Sequence, residues 1–203
     1  ANGDLTRLPL YGVPFAINFK NGARARLTAL AEARADLVAL SKRSAETVCA
    51  QSDDFVVVLE LPAKSYYVGH EIIFRRDRAA ARRDWRIGVD STSLDHVEFC
   101  AAVFPGAPVK EVHYLNLPYA IAKGEIDASV VHSRSLVPLE FANVLDNEPV
   151  AGAEALFDAA SAGVFLARRD NRALRAIFRE VGGTDAIHET QRAVMNHQRE
   201  PEF

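Results

Sequence analysis

The chain has 203 residues, of which 49% are hydrophobic and 25% are charged. This length suits one or two compact units, and this apolar share supports a hydrophobic core and excludes wholesale disorder. The formal net charge of −3 at pH 7 gives no overall attraction to nucleic acid or to an anionic membrane surface. No apolar run approaches the roughly 20 residues that span a bilayer, so we expect no membrane segment and no membrane partner.

The first half of the chain alternates between predicted strands and predicted helices. Val13–Phe19 is typical of a strand, and the turn Asn21-Gly22 leads into an amphipathic helix over 23–34. The next predicted elements are a strand over 35–41, a helix over 44–50 and a strand over 55–61. Because most of these strands are apolar throughout, they indicate a parallel sheet that is covered on both faces.

The stretch Asp84–Ser133 carries the strongest local signals. A short apolar strand over 86–89 is followed by Asp-Ser-Thr-Ser at positions 90–93. Such side chains accept hydrogen bonds from the free N–H groups of a first helical turn. A helix N-terminus with hydroxyl donors also suits an anionic group. This turn is therefore predicted to cap a helix, to bind an anion, or to do both.

A second signal lies at Lys123–Ala128, where glycine stops a helix and a buried strand over 128–131 follows. Downstream, the pattern predicts a strand over 162–168 and helices over 171–181 and 185–197. Two runs of alternating strands and helices, joined by the extended segment 66–76 and closed by a returning strand, indicate a two-lobed solute-binding fold. In such a fold the ligand lies in the cleft, beyond the carboxyl ends of the strands.

Several motifs, taken in order, resemble the C-terminal domain of the YhfZ-like proteins. They are Tyr67-Val68-Gly69-His70-Glu71, Ile87-Gly88-Val89-Asp90-x-x-Ser93, Lys123-Gly124-Glu125-Ile126-Asp127-Ala128 and the tail Gln198–Phe203, with comparable residues at Gly12–Phe15, Gly22-Ala23 and Ser41. The resemblance covers nearly the whole chain. It implies a type 2 periplasmic-binding-protein fold, with two α/β lobes that are each a mainly parallel sheet flanked by helices. It also implies an effector-binding domain of a helix-turn-helix transcription regulator, without catalytic residues.

We expect lobe one to comprise residues 1–67 plus 163–203, and lobe two residues 68–162. The two crossings between the lobes should lie near Tyr67–Phe74 and Ala160–Leu166. No helix-turn-helix pattern precedes Gly12, and the strand expected to open lobe one is also missing. Because a sheet without its first strand exposes unpaired edge groups, we expect an upstream strand and a DNA-binding module that are absent from this chain.

The predicted ligand-binding residues follow the strand ends and the segment between the lobes. They are Asn18, Lys20, Gly22 and Ser41 from lobe one, Tyr67 at the hinge, and Ser91, Thr92, Ser93 and His132 from lobe two. Two helix N-termini that face one cavity favour a small anionic metabolite, such as a carboxylate or a phosphate ester. Structural roles compete with binding: hinge packing for Tyr67, a structural histidine for His132, and an exposed lysine for Lys20.

The remaining polar residues give no sign of catalysis or metal binding. No HxxxH or GxSxG motif is present, so we expect no catalytic residue, metal or cofactor. Cys49 and Cys100 lack a CxxC spacing and are predicted to be buried free thiols, which favours the reducing cytoplasm. The basic cluster within 75–86 is interleaved with Asp77 and Asp84 and is interpreted as a solvated connector rather than a nucleic-acid contact.

Two function classes follow. The first is the effector-binding domain of a bacterial transcription regulator, which forms a homodimer because regulators read two half-sites, and which contacts DNA only through an N-terminal module. The alternative is a solute-binding receptor of a membrane importer with the same fold. An enzyme is a weaker third class.

Overall fold

A computed structural model of the chain describes residues 18, 22–133 and 138–181, and every structural statement below concerns this part. Its helices are α1 (Ala23–Ala31), α2 (Lys42–Gln51), α3 (Leu94–Val103), α4 (Leu117–Ala122), α5 (Glu154–Ser161) and α6 (Arg172–Val181). Its strands are β1 (Leu37–Ser41), β2 (Phe55–Glu60), β3 (His70–Arg75), β4 (Ile87–Val89), β5 (Val109–Glu111), β6 (Ala128–His132), β7 (Leu145–Pro149) and β8 (Gly163–Arg168). Segments of 3₁₀ helix span Arg76–Asp84, Tyr114–Asn116 and Leu139–Phe141.

The strands form two separate sheets, in the orders β1-β8-β2 and β5-β4-β6-β3-β7. Lobe one is the unit around the three-stranded sheet, and lobe two is the unit around the five-stranded sheet. The chain enters lobe two between β2 and β3 and returns to lobe one between α5 and β8. The two-lobed α/β architecture that the sequence indicated is confirmed, whereas the residue limits 1–67 plus 163–203 and 68–162 stay a prediction.

The pairing departs from the expectation of mainly parallel sheets, because in each sheet one described strand runs opposite to the others. In lobe one β8 lies between β1 and β2 and is antiparallel to both. In lobe two β3 is antiparallel to β6 and β7, and parallel pairing is confined to β4 with β5 and β6. An apolar run indicates that a strand is buried on both faces, but it does not indicate the direction of the strand. A strand that returns from the other lobe, such as β8, can therefore pair antiparallel with its neighbours.

The local signals located most elements to within a few residues. α1 ends at Ala31 rather than at residue 34, because Ala33 takes the left-handed conformation (φ 56). The segment that forms β3 was interpreted as part of a crossing because it links the two runs of strands and helices, but Ile72, Ile73 and Phe74 are buried in a strand. Of the predicted strand over 13–19 only Asn18 is described, and the predicted helix over 185–197 and the tail 198–203 lie outside the described residues.

Each lobe has its own apolar core. Leu30, Leu40 and Leu166 centre the core of lobe one. Lobe two has a core on each face of its sheet, one around Trp85 and Phe99 and one around α4 with Ile73, Ile121 and Ile126. Within the described ranges, no helix is both long and apolar enough to cross a membrane.

Candidate ligand site between the lobes

The two crossings between the lobes lie side by side and are joined by hydrogen bonds. The Tyr66 N–H donates to the Ser161 carbonyl over 2.8 Å. The Gly163 N–H donates to the Ser65 hydroxyl, also over 2.8 Å. Chain segments that cross together in this way form a narrow hinge, because rotation about them moves one lobe without disturbing either sheet.

The N-terminus of α1 directly contacts the turn that follows β4. The Arg24 N–H donates to the Thr92 carbonyl at 3.1 Å, and Arg24 Nε donates to the Ser91 carbonyl at 2.9 Å. Gly22 precedes α1 with φ 77, and a Cβ at this position would lie 2.6 Å from Thr92 Oγ1. Only a residue without a side chain allows this approach. The structure thus brings the predicted residues Gly22, Ser91 and Thr92 together at a point where the two lobes touch.

A second contact joins the N-termini of α2 and α3. Ser41 caps α2 by accepting from the Ser44 N–H at 3.0 Å. The Ser44 hydroxyl donates to Asp95 Oδ1 at 2.7 Å, and the Tyr67 hydroxyl donates to Asp95 Oδ2 at 3.2 Å. Burial raises the pKa of the Asp95 carboxyl, and the hydroxyls of Ser41, Ser44 and Tyr67 offset part of that rise. The predicted residues Ser41 and Tyr67 therefore meet at a carboxylate from lobe two.

Two further contacts across the lobes surround this carboxylate. Arg43 of α2 forms a two-point ion pair with Glu98 of α3, with distances of 2.9 and 3.2 Å. Both side chains are more than a third exposed, so the pair contributes at most about 1 kcal/mol. Leu94, the first residue of α3, packs against the apolar core of lobe one. The lobes are therefore closed on each other along α2 and α3.

The hydroxyl-rich turn of lobe two donates to carboxylates of its own lobe. The Ser91 N–H and hydroxyl both donate to Glu111 Oε1, at 3.0 and 2.9 Å. The Thr92 N–H and hydroxyl donate to Asp90 Oδ1, at 2.9 and 2.6 Å. Although burial acts to raise the pKa of Asp90, these bonds and one from the Tyr114 N–H lower it below the usual value.

The predicted helix start at this turn is confirmed, but its capping group is not the one expected. Ser93 is the residue before α3, yet its side chain makes no capping bond. Asp90 instead organises the turn by accepting from Thr92 and from the Tyr114 N–H. The donors that the sequence offered to an anion at Ser91 and Thr92 are thus bonded to acidic side chains of the chain.

His132 belongs to an aromatic cluster beside the hinge. Its ring stacks on Tyr67 with centroids 4.2 Å apart, and its Nδ1 lies 3.3 Å from His70 Nε2. Burial lowers the pKa of His70 to about 3 and that of His132 to about 4. His70 is only 8% exposed, and its Nδ1 has no hydrogen-bond partner in the described part of the chain. The pair is therefore held neutral at pH 7.

The other predicted site residues are less informative. Asn18 is exposed, and Lys20 lies outside the described residues. Asp95 and Arg24, which make the contacts across the lobes, were missed by the sequence analysis. An aspartate in the first turn of a helix and an arginine on an exposed helix face are common surface features, so neither carries a distinguishing signal.

The buried thiol and imidazole of lobe two do not form a nucleophilic pair. Both cysteines are free, and burial raises the pKa of Cys100 to about 11. His96 accepts from the Asp90 N–H through Nδ1 and faces the Val130 carbonyl through Nε2 at 2.8 Å. Its proton is therefore on Nε2, and it cannot accept a proton from the Cys100 thiol there. In the described ranges, no group of three or more potential ligand side chains could hold a metal ion.

The basic segment after β3 is held by ion pairs and carbonyl groups. The pairs are Arg75 with Asp77, Arg76 with Asp146, Arg78 with Asp127 and Arg82 with Glu148. Arg86 donates to the Gly124 carbonyl, and Arg83 is exposed without a partner among the described residues. This pairing agrees with the interpretation of a structural connector.

Comparison with known proteins identifies the family to which the chain is similar. The family described as the YhfZ C-terminal domain matches residues 5–203. The YhfZ protein of Escherichia coli (strain K12) is 28% identical over 198 residues, which cover 95% of this chain and 63% of that relative. The chain thus spans less than two thirds of the length of this relative.

Solved structures share the two-lobed architecture. YhfZ from Shigella flexneri has a TM-score of 0.72 and 25% identity, over 95% of this chain and 82% of that chain. The periplasmic VFT2 domain of BvgS from Bordetella pertussis has a TM-score of 0.63 at 17% identity, over 94% and 78% of the two chains. The substrate-binding protein AbpA of an amino acid ABC transporter from Streptococcus pneumoniae has a TM-score of 0.60 at 10% identity, over 93% and 77%. These last two share the fold alone.

The type 2 periplasmic-binding-protein fold that the motifs implied is therefore confirmed, and the chain belongs to the YhfZ C-terminal domain family.

Proposed function

We propose that this chain is the small-molecule effector-binding domain of a bacterial transcription regulator, and that the effector binds between the two lobes. The observation that carries the proposal is the meeting of three helix N-termini, those of α1, α2 and α3, beside a two-segment hinge. A solute-binding fold whose lobes touch through polar contacts and the apolar side chain of Leu94 is suited to coupling ligand occupancy to lobe orientation. No catalytic role is proposed, since the Cys100 thiol is buried and protonated.

The proposed effector is a small anionic metabolite. Lobe two now presents two acceptors to helix N-termini of lobe one, the Thr92 carbonyl to α1 and the Asp95 carboxylate to α2. A carboxylate or phosphate ester could replace these acceptors, because the N-terminal N–H groups and the helix dipole favour negative charge. Gly22 would let such a group approach the backbone of α1 closely.

A thermal-shift screen of small carboxylates and phosphate esters against the intact chain tests this proposal. A ligand at 100 times its dissociation constant should add about 2.7 kcal/mol of stability. The expected result is stabilisation by an acidic compound and none by its methyl ester or amide. Stabilisation by neutral or cationic solutes alone would contradict the anionic effector.

Replacing Ser91 and Ser93 together with alanine is expected to weaken binding of the compound found in that screen by about 1–3 kcal/mol if the bound compound desolvates the hydrogen bonds of these hydroxyls. The fold should survive, since the Ser91 hydroxyl bonds an exposed Glu111 and the Ser93 side chain makes no capping bond. Calorimetric titration measures the affinity, and Ser52→Ala in lobe one serves as the control. Unchanged affinity would place the site away from this turn.

The proposed assembly is a cytoplasmic homodimer that reaches DNA through a separate N-terminal module. The free cysteines suit a reducing compartment, and the E. coli relative extends well beyond the matched part. Light scattering on the intact chain should give twice the monomer mass.

The coding sequence upstream of Ala1 separates the two function classes, because a helix-turn-helix supports the regulator and a signal peptide supports an importer receptor.

A further inference from the structure

The Asp95 carboxylate is the most unusual group between the lobes. It is 3% exposed, and it forms no ion pair with any described residue. Its two oxygens accept hydrogen bonds from Ser44 of lobe one and from Tyr67 at the hinge, and the Ser41 hydroxyl also favours its charged form. Burying a carboxylate without a neighbouring cation costs free energy of folding. We therefore expect Asp95 to have a role that offsets this cost.

The position of Asp95 supplies such a role. The carboxylate comes from the first turn of α3 and reaches the first turn of α2, where Ser41 is the cap and Ser44 the donor. Negative charge is favoured at that end of a helix. The same side chain holds the hydroxyl of Tyr67, whose backbone N–H bonds the Ser161 carbonyl of the second crossing. One carboxylate thus links α2, α3 and the hinge.

We propose that Asp95 is an internal latch: its carboxylate holds the two lobes together through Ser44 at the N-terminus of α2, and an incoming acidic effector must displace it from there. The second half of this statement rests on the proposed function. On this mechanism the effector replaces the Asp95 carboxylate as the acceptor that lies between the lobes.

The Arg24 amide is a direct reporter of the latch, because its acceptor, the Thr92 carbonyl, belongs to the other lobe. In Asp95→Ala the hydroxyls of Ser44 and Tyr67 lose their acceptor. Hydrogen exchange at the Arg24 amide, followed by NMR, is then expected to accelerate by about tenfold or more. The amide of Leu166 in the central strand β8 reports global folding and should keep its protection.

Matched variants separate the latch from general effects. Glu98→Gln removes one negative charge from the same helix and weakens the exposed pair between Glu98 and Arg43. Because that pair also joins the lobes but contributes at most about 1 kcal/mol, Arg24 exchange should accelerate by about fivefold at most. Asp95→Asn keeps the shape of the side chain and should give an intermediate rate. Gly22→Ala forces the contact with Thr92 apart and serves as the positive control.

Binding of citrate, L-glutamate, glycerol 3-phosphate and inorganic phosphate is measured on the same proteins. Once the internal competitor is removed, the best of these anions should bind Asp95→Ala at least about tenfold more tightly than wild type, and Glu98→Gln should resemble wild type. Arg24 exchange that is unchanged in Asp95→Ala, with Leu166 still protected, overturns the latch. Faster exchange without binding of any anion to either protein supports the latch and counts against the proposed anionic effector.

Discussion

Lowering the pH from 7 to 5 is expected to destabilise the folded domain by roughly 4 kcal/mol through two buried histidines. Burial lowers the pKa of His70 to about 3 and that of His132 to about 4, whereas both titrate near 6.5 in the unfolded chain. At pH values between the folded and the unfolded pKa, these histidines are protonated in the unfolded chain and neutral in the folded domain. Stability is therefore lost as the pH falls below 6.5, at about 2 kcal/mol for each histidine over this interval.

Two other buried groups act on the same titration with opposite signs. Burial lowers the pKa of His96, so its loss of stability on acidification adds to that of the pair. Burial raises the pKa of Asp95, so the folded state takes up this proton before the unfolded state does. Asp95 therefore contributes a gain of stability as the pH falls, which offsets part of the loss.

Urea unfolding of wild type and His70→Phe at pH 7 and pH 5 checks the prediction. Phenylalanine keeps the ring stacked on Phe157 and in contact with Phe99, and it removes the unpartnered Nδ1. The difference in unfolding free energy between the two pH values should shrink by about 2 kcal/mol. The exposed His113 provides the control as His113→Gln. A pH dependence that is the same in His70→Phe and wild type would show that His70 is not held neutral.

The sequence could predict features of this fold that depend on local chemistry. Gly124 stops α4 and takes a left-handed φ of 73, and Ser41 caps α2 through its side chain. These effects need only the neighbouring residues, so a single sequence records them. The order of the motifs also sufficed for the family and for the two-lobed architecture.

The strand directions and the contacts across the lobes could not be predicted in the same way. β8 pairs with β1 and β2 across more than 100 positions of sequence, and its apolar residues are compatible with either direction. Asp95 lies 51 positions from Ser44, and nothing in its neighbourhood distinguishes it from an ordinary first-turn aspartate. Pairings of this kind depend on the tertiary fold, which local patterns do not record.

Trp85 shows the same limitation in the basic segment, because nothing in the charged residues around it indicates that its side chain is buried. The structure buries it to 1% exposure, stacked on Phe74 at 5.3 Å, with its Nε1 donating to the Arg78 carbonyl at 2.9 Å. The guanidinium of Arg82 lies 5.2 Å from the ring centroid. The tryptophan therefore anchors the arginine-rich 3₁₀ segment to the core of lobe two.

Trp85→Ala is accordingly expected to lower the free energy of unfolding by about 3–5 kcal/mol, because it empties a large core site and leaves the Arg78 carbonyl without its donor. Trp85→Phe should lose less, since it keeps a ring against Phe74. Arg83→Ala, on the exposed side of the same segment, should stay within about 0.5 kcal/mol of wild type. Urea unfolding measures all three. If Trp85→Ala is no less stable than Arg83→Ala, Trp85 does not anchor the segment. Its arginines would then be free to move and to contact nucleic acid.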